Sequence, residues 1–408
     1  MKEALVFVGY LEEVFSECKK FDEFEIILIA EKYPQIKADI KLDRVFIVSD
    51  YTCKECISKV VDRINNKFNI RSIYANVEWA VNVCGYIRDK YNIEGTDEDT
   101  AILTRDKYKM KQKFHEGGVK TAEVSLLQEK EDARKFAESY GFPVVVKPRN
   151  GSATVNTFLI KNESELDDSL ERIEDQLDNF IIESFNSGEE YHCDSIVVNG
   201  EVCFSSVGKY YTNCIDTVNT ERPVAAVIFP DTSNNPIVNK IKELNKKVVK
   251  VLGIKTSVCH LEVFENNGEL VVGEIASRLG GGPLIGRAIE SASGINMYRK
   301  FIEIGLSKDL DVDISKHQYG GYVALPYKKG TIHKISKVDD FKEIKLDTIL
   351  INYKEGDVIS QNRNTACRTG YAIVHGESYD EVKDKLIHIY TSFDLQMEEP
   401  KINLFSIF

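Results

Sequence analysis

The sequence of 408 residues has one tryptophan, four methionines and nine prolines, and it has no excess of basic charge. Lys and Arg number 53 against 65 Asp and Glu, a formal net charge of −12. A nucleic-acid-binding protein needs a basic face to neutralise phosphates, so this balance argues against that class of partner. A local basic pocket for a small anion remains compatible with it. No stretch approaches the ~20 apolar residues that cross a bilayer. The N-terminus, MKEALVFVGYLEEVF, has a short apolar run that meets Glu12 and Glu13 at once. It lacks the basic start, long apolar core and cleavage site of a signal peptide. The nine cysteines are odd in number and scattered, which fits reduced thiols in a cytoplasm better than a disulfide framework. No G-x-G-x-x-G follows the first apolar run, so a dinucleotide site there is unsupported. There is no internal repeat and no low-complexity linker.

What the sequence does have is alternation. The runs ALVFVGY (4–10), FEIILIA (24–30) and RVFIVS (44–49) read as strands. CKECISKVVDRINNKF (53–68) has helical spacing, with Ile57, Val60, Val61 and Ile64 on one face. This order predicts an open parallel sheet over the first ninety-odd residues. A basic helix, TRDKYKMKQKFHEGGV (104–119), opens a second unit. After it come a helix stopped by Gly141, the strand–loop–strand FPVVVKPRNGSATVNTFLI (142–160), an amphipathic helix (163–177) and the strand NFIIESF (179–185). Longer strands begin near 190, where Asn199-Gly200 signals a hairpin. A helix at 234–252 precedes a second hairpin at 256–276, and residues from about 317 read as a small α+β unit.

Three stretches carry chemistry. In HLEVFENNGELVVGEIASR (260–278), Glu262 and Glu274 flank a hairpin around Asn266-Asn267-Gly268. A loop of three or five residues centres the pairing on Gly268 and sets the two glutamates opposite each other, about 5 Å apart. Such a pair suits a hard divalent ion, Mg²⁺ or Mn²⁺. Two solvated glutamates on an exposed face account for the same residues. In FPVVVKPRNGSATVNTF, Lys147 ends an apolar strand, and Ser152 and Thr154 follow in a small-residue loop. An ammonium at a buried strand end calls for an anion, and the loop offers N–H groups and hydroxyls for phosphates. A surface lysine beside a plain turn is the alternative. In FIIESFNSGEEY (180–191), Glu183 leads through a connector to Glu189 and Glu190, a pattern that fits either a nucleotide hinge or an acidic loop.

In order and spacing, these residues resemble the ATP-grasp superfamily of carboxylate–amine ligases, and most closely its L-amino-acid ligase group. The likeness runs from about residue 100 to 310. RDKYKMKQKFHEGGVKTAE resembles the group's first ATP-grasp helix, HLEVF…GEIASRLGGG its metal hairpin, and QNRNTACRTGYAIVHGESYDEVKDKL (361–386) its C-terminal domain. The resemblance implies an α/β and α+β protein in four parts. These are an N-terminal α/β domain (1–98), a small lid subdomain (99–185), a large subdomain with the metal hairpin (186–312) and a C-terminal α+β domain (313–408).

It also implies roles. Lys107 and Lys147 contact ATP phosphates. Glu183 and the backbone of Ser184 and Phe185 hold adenine, and Glu190 meets the ribose. Glu262 and Glu274 bind two Mg²⁺ (or Mn²⁺) ions. Arg278 faces the reacting carboxylate, and Gly280, Gly281 and Gly282 line the pocket beside it. Ala276 stands where many members carry a ligand Asn, which leaves the second ion with fewer ligands. The implied activity is ATP-dependent, ADP-forming ligation of an amino acid to an amino acid or other amine through an acyl phosphate. Loading of a carrier protein, a biotin-carboxylase-like reaction and non-catalytic nucleotide binding stand as alternatives. A homodimer is compatible with the sequence, and the expected compartment is the cytoplasm. His260, two residues before Glu262, either touches substrate or metal or is a packed core histidine. TCKEC (52–56) lacks a redox neighbourhood, and Lys209 reads as a solvated strand lysine.

Overall fold

The computed structural model describes residues 1–398 apart from 38–39, 219, 221, 307–309 and 362–363. Two residues of the segment likened above to the family's C-terminal domain, 362 and 363, therefore lie outside the described residues.

Four parallel strands form the N-terminal sheet, in the order Arg44–Ile47, Glu25–Ala30, Glu3–Val8, Asn69–Ala75. Helix Lys54–Asn65 packs on it through Ile57, Val60, Val61 and Ile64, the four residues its spacing puts on one face. At the start of this helix, the structure corrects the expectation that every thiol is reduced. Cys53 and Cys56 form a disulfide, because one turn of helix start brings their Cα atoms to 5.2 Å; the other seven cysteines are free.

The unit that follows is a four-stranded antiparallel sheet, ordered Val124–Leu126, Phe180–Ser184, Val144–Pro148, Phe158–Ile160. Helices Lys130–Tyr140 and Glu163–Arg172 cover it with Phe136, Leu166 and Leu170.

The largest sheet has eight antiparallel strands. From one edge they are Glu269–Ala276, Ser257–Asn266, Glu189–Val198, Glu201–Tyr210, Ala225–Ile228, Tyr319–Ala324, Gly370–Gly376 and Thr348–Ile351. The last three lie beyond residue 313, so one continuous sheet crosses the boundary expected there. Ala225–Ile228 pairs with Tyr319–Ala324 over four residues, which carries the chain from one part into the next without a break in hydrogen bonding. No helix among the described residues is long and apolar enough to cross a membrane.

Candidate active site

The site is assembled by two local devices. The first is the hairpin 257–276. Its turn is only two residues, Asn267 and Gly268, both with positive φ, and Asn266 pairs with Glu269. A two-residue turn alone would set Glu262 opposite Gly273. Instead the register shifts between Glu262 and Val263, Gly273 is bulged out, and Glu262 faces Glu274. The expected opposition is therefore present, but a bulge produces it rather than a longer loop. Lys111 holds the bulge by donating to the Gly273 carbonyl at 3.0 Å.

The second device is the helix Lys107–Glu116, capped by Asp106. Lys107 and Lys111 are one turn apart and buried on the same side as Met110 and Phe114. Lys107 Nζ lies 3.1 Å from Glu274 Oε2 and donates to Gly151 O at 2.8 Å. Lys111 and Lys147 share Glu183, at 3.2 and 2.6 Å. The sequence reading missed Lys111; its i,i+4 spacing from Lys107, inside a turn that also carries Met110 and Phe114, was the available signal.

These groups line one cavity of about 290 Å³. Burial opposes charge here, and the outcome differs from group to group: at Lys111 burial prevails and holds the ammonium below its ordinary value. Lys107 and Lys147 outweigh burial at Glu274 and hold its carboxyl at about 2. Lys111 and Lys147 likewise hold Glu183 below its usual range. Glu190 has no such cation. Burial and then neighbouring Glu262 push it up to about 8, and its carboxylate accepts the Cys214 N–H at 2.6 Å. Ser152 lines the cavity from a loop in which Ala153, Thr154 and Asn156 all have positive φ, a strained backbone for non-glycine residues.

Other expected residues fall in different places. Ser184 and Phe185 both line the cavity, and Ser184 gives its N–H to Glu123 O at 3.1 Å. Of the three glycines, Gly281 alone lines the cavity. A Cβ on Gly280 would lie 2.4 Å from His260 Nδ1, so that glycine exists for close packing. Gly282 has φ +59° and ψ −128°, a backbone open essentially to glycine, at the start of helix Pro283–Ser293. His260 is buried: Nδ1 is 2.9 Å from Asp194, whose other oxygen lies 2.6 Å from His192 Nδ1, and Nε2 is 3.5 Å from Glu262. Asp194 and Glu262 overcome burial and push His260 up to about 10. His192, Asp194 and His260 are close enough to ligate a metal, but Asp194 uses each oxygen on one histidine, which makes the trio a hydrogen-bonded chain. Lys209 pairs with Glu189 at 2.6 Å, outside the cavity lining.

Arg278 also lines the cavity. Its Nε contacts Glu78, which also holds Arg105, and its Nη1 donates to Leu279 O at 2.6 Å. Glu78 belongs to the N-terminal unit, 200 residues away in sequence. It carries no motif that could have announced it.

Residues 112–280 match the ATP-grasp domain family. An L-arginine-specific L-amino acid ligase of Bacillus subtilis is 28% identical over 369 residues, covering 88% of this chain and 87% of that protein. The solved L-amino acid ligase of Bacillus licheniformis superposes with a TM-score of 0.82 at 18% identity, over 98% of this chain and 99% of that one. The biotin carboxylase domain of the Hydrogenobacter thermophilus 2-oxoglutarate carboxylase, solved with MgADP and bicarbonate, shares the fold at TM-score 0.71 and 15% identity, over 96% and 90% of the two chains. The fold is thus shared along nearly the whole length, and residues 112–280, which hold Lys147 and the glutamate hairpin, match the ATP-grasp domain family.

Proposed function

We propose that this chain is an ATP-dependent, ADP-forming carboxylate–amine ligase that joins an amino acid to a second amino acid or amine. The observation that carries it is the bulged hairpin that sets Glu262 against Glu274 beside Lys107 and Lys147, with Arg278 just beyond the strand. The similarity to an L-amino acid ligase over 88% of the chain supports the choice of substrates.

In this reading, Lys107 and Lys147 neutralise ATP phosphates, Phe185 and Glu183 meet the adenine, and Glu190 meets the ribose. Ser152 and its loop cover the phosphates from residues 99–185, the lid of the site. The oxygen donor set of Glu262 and Glu274 suits Mg²⁺, which would supply charge neutralisation to the transferring phosphoryl group. Ala276 brings no further ligand. The γ-phosphoryl passes to a substrate carboxylate, giving an acyl phosphate and ADP. A neutral amine then attacks the acyl carbon and phosphate leaves. Arg278 has Nε and Nη1 engaged, and among the described residues Nη2 has no partner. That group would stabilise the oxyanion of the tetrahedral intermediate.

A screen of amino-acid pairs for phosphate release, with mass spectrometry of the product and chromatography of the spent nucleotide, tests the reading. ADP, phosphate and an amide-linked product are expected. AMP as the main nucleotide product would overturn it.

A further inference from the structure

One sequence motif takes no part in the ligase reaction. TCKEC (52–56) opens the helix Lys54–Asn65 of the N-terminal unit, and its two cysteines are bonded to each other. Cys53 is the N-cap residue, and its Sγ accepts the Cys56 N–H at 3.1 Å. Both cysteines are half-buried, whereas the free Cys18, Cys84, Cys193 and Cys259 are buried. Neither Cys53 nor Cys56 lines the cavity of the candidate active site.

This bond does little to hold the fold. It joins residues only three apart in sequence, and a cross-link that closes so short a loop restricts the unfolded chain least. The helix start is held by other means. Ile57, Val60, Val61 and Ile64 are buried in the core against the sheet. The Ile57 N–H donates to Cys53 O at 3.1 Å, and the Cys53 N–H to Asp50 O at 3.4 Å. Asp50 in turn accepts the Thr52 N–H at 2.7 Å. None of these contacts passes through the sulfurs. They would keep the two thiols within reach of each other once the bond opens, which makes its re-formation an intramolecular step. The N–H on Cys53 Sγ favours a thiolate there, the form in which a sulfur leaves a disulfide.

We infer that Cys53 and Cys56 form a thiol–disulfide exchange site whose partner is a dithiol. A thiolate of the partner attacks Cys56 Sγ. A new sulfur–sulfur bond forms there as the Cys53–Cys56 bond breaks, and Cys53 leaves as the thiolate that the Cys56 N–H holds. The partner's second thiolate then attacks the partner's own sulfur in the mixed disulfide, and Cys56 leaves in its turn. The chain gains two electrons and two protons, and the partner loses them as its disulfide forms. The inference stands apart from the ligase reading, since no step of that reaction uses either sulfur.

The test exposes the native protein to two dithiols in parallel: dithiothreitol, and thioredoxin kept reduced by its reductase and NADPH. Acid quenching, alkylation after denaturation and peptide mass mapping then count the free thiols. The peptide with Cys53 and Cys56 should carry two alkyl groups after reduction and none before, while the other seven cysteines are alkylated in both states. Oxidised dithiothreitol should restore the bond, and circular dichroism should stay native throughout. Reduction by dithiothreitol alone assigns a small-molecule partner; reduction by thioredoxin as well assigns a protein one. Thioredoxin lacking its second active-site cysteine should be trapped on Cys56, and trapping on Cys53 would overturn the assignment of the leaving sulfur. A bond that neither dithiol opens in the folded protein, or a reduced form that loses its native spectrum, would make the bond a structural staple and overturn the inference. So would free thiols at both positions after treatment with oxidised dithiothreitol.

Discussion

Replacing Lys111 by Met should loosen the joint between three parts of the molecule. Lys111 lies on the helix Lys107–Glu116 and is 1% exposed. Its Nζ donates to Thr121 Oγ1 and to the bulge carbonyl of Gly273, both at 3.0 Å, and pairs with Glu183 on strand Phe180–Ser184 at 3.2 Å. Removing one partner from a buried pair costs about 3–5 kcal/mol. The lower end applies here, because Glu183 keeps Lys147 at 2.6 Å and because burial already holds Lys111 below its ordinary value. A loss of about 3 kcal/mol corresponds to roughly 6–12 °C in the melting midpoint of a cooperative unit of about 200 residues. Glu183→Gln alone should also destabilise, since it leaves two buried ammonium groups side by side. The double variant should be more stable than the sum of the two losses by about 1–3 kcal/mol, the coupling expected of contacting charges. Denaturant titration of all four proteins measures this. Strictly additive losses would show that the Lys111–Glu183 contact does not carry the joint.

Glu274→Gln should bring turnover at saturating ATP and magnesium below about a hundredth of wild type, the scale of losing one group that stabilises transition-state charge, while its circular dichroism stays native; near-normal turnover would remove the metal assignment. Asp194 lies buried, but His260 and His192 hold its carboxyl well below the usual carboxylate range. That stability is present above the unfolded value near 3.8 and is lost as pH falls through the folded one. Melting curves between pH 7 and 2.5 should therefore fall less steeply in Asp194→Asn than in wild type, from a lower plateau; parallel curves would refute the assignment. Gly282→Ala should cost about 1–3 kcal/mol through its glycine-only backbone and lower the turnover of small and large donors alike. A change in the ratio between the two donors would return Gly282 to the pocket wall.

Local patterns were legible in the sequence, and long-range ones were not. Ile57, Val60, Val61 and Ile64 announce a helix face because helical periodicity is a property of neighbouring residues. Asn199-Gly200 and Asn267-Gly268 announce turns because their positive φ depends on the residues themselves. Even the opposition of Glu262 and Glu274 could be anticipated, since it needed only a register within one hairpin. Its cause could not: the bulge at Gly273 depends on Lys111, from an element 162 residues away. Glu78 was invisible for the same reason, as nothing near it marks the two arginines it joins. The glycines of 280–282 show the converse. Glycine records that a side chain is forbidden, but it does not say what forbids it: in the structure a histidine ring does so at Gly280, a positive φ and the Ile285 side chain at Gly281, and a backbone angle at Gly282.

The pairings also bear on how the site handles charge. Lys107, Lys147 and Arg278 each rest on a carboxylate, so an incoming phosphate or substrate carboxylate competes with an internal acid rather than filling a bare positive hole. This keeps a cluster of buried cations compatible with a stable fold, since a desolvated charge without a partner is costly. It also means that the anions already present are not idle. Glu274 is the partner of Lys107 and, in the proposed function, a metal ligand; the two roles call on the same carboxylate oxygens. A cation bound by Glu262 and Glu274 would draw Glu274 away from Lys107 and release that ammonium toward phosphate. Glu190 points the same way. Among the described residues no lysine pairs with it, and burial first, then the neighbouring charge of Glu262, raises it. The acidic side of the cavity is thus short of positive charge where Glu190 meets Glu262, and in the proposed function a metal nucleotide would relieve that imbalance.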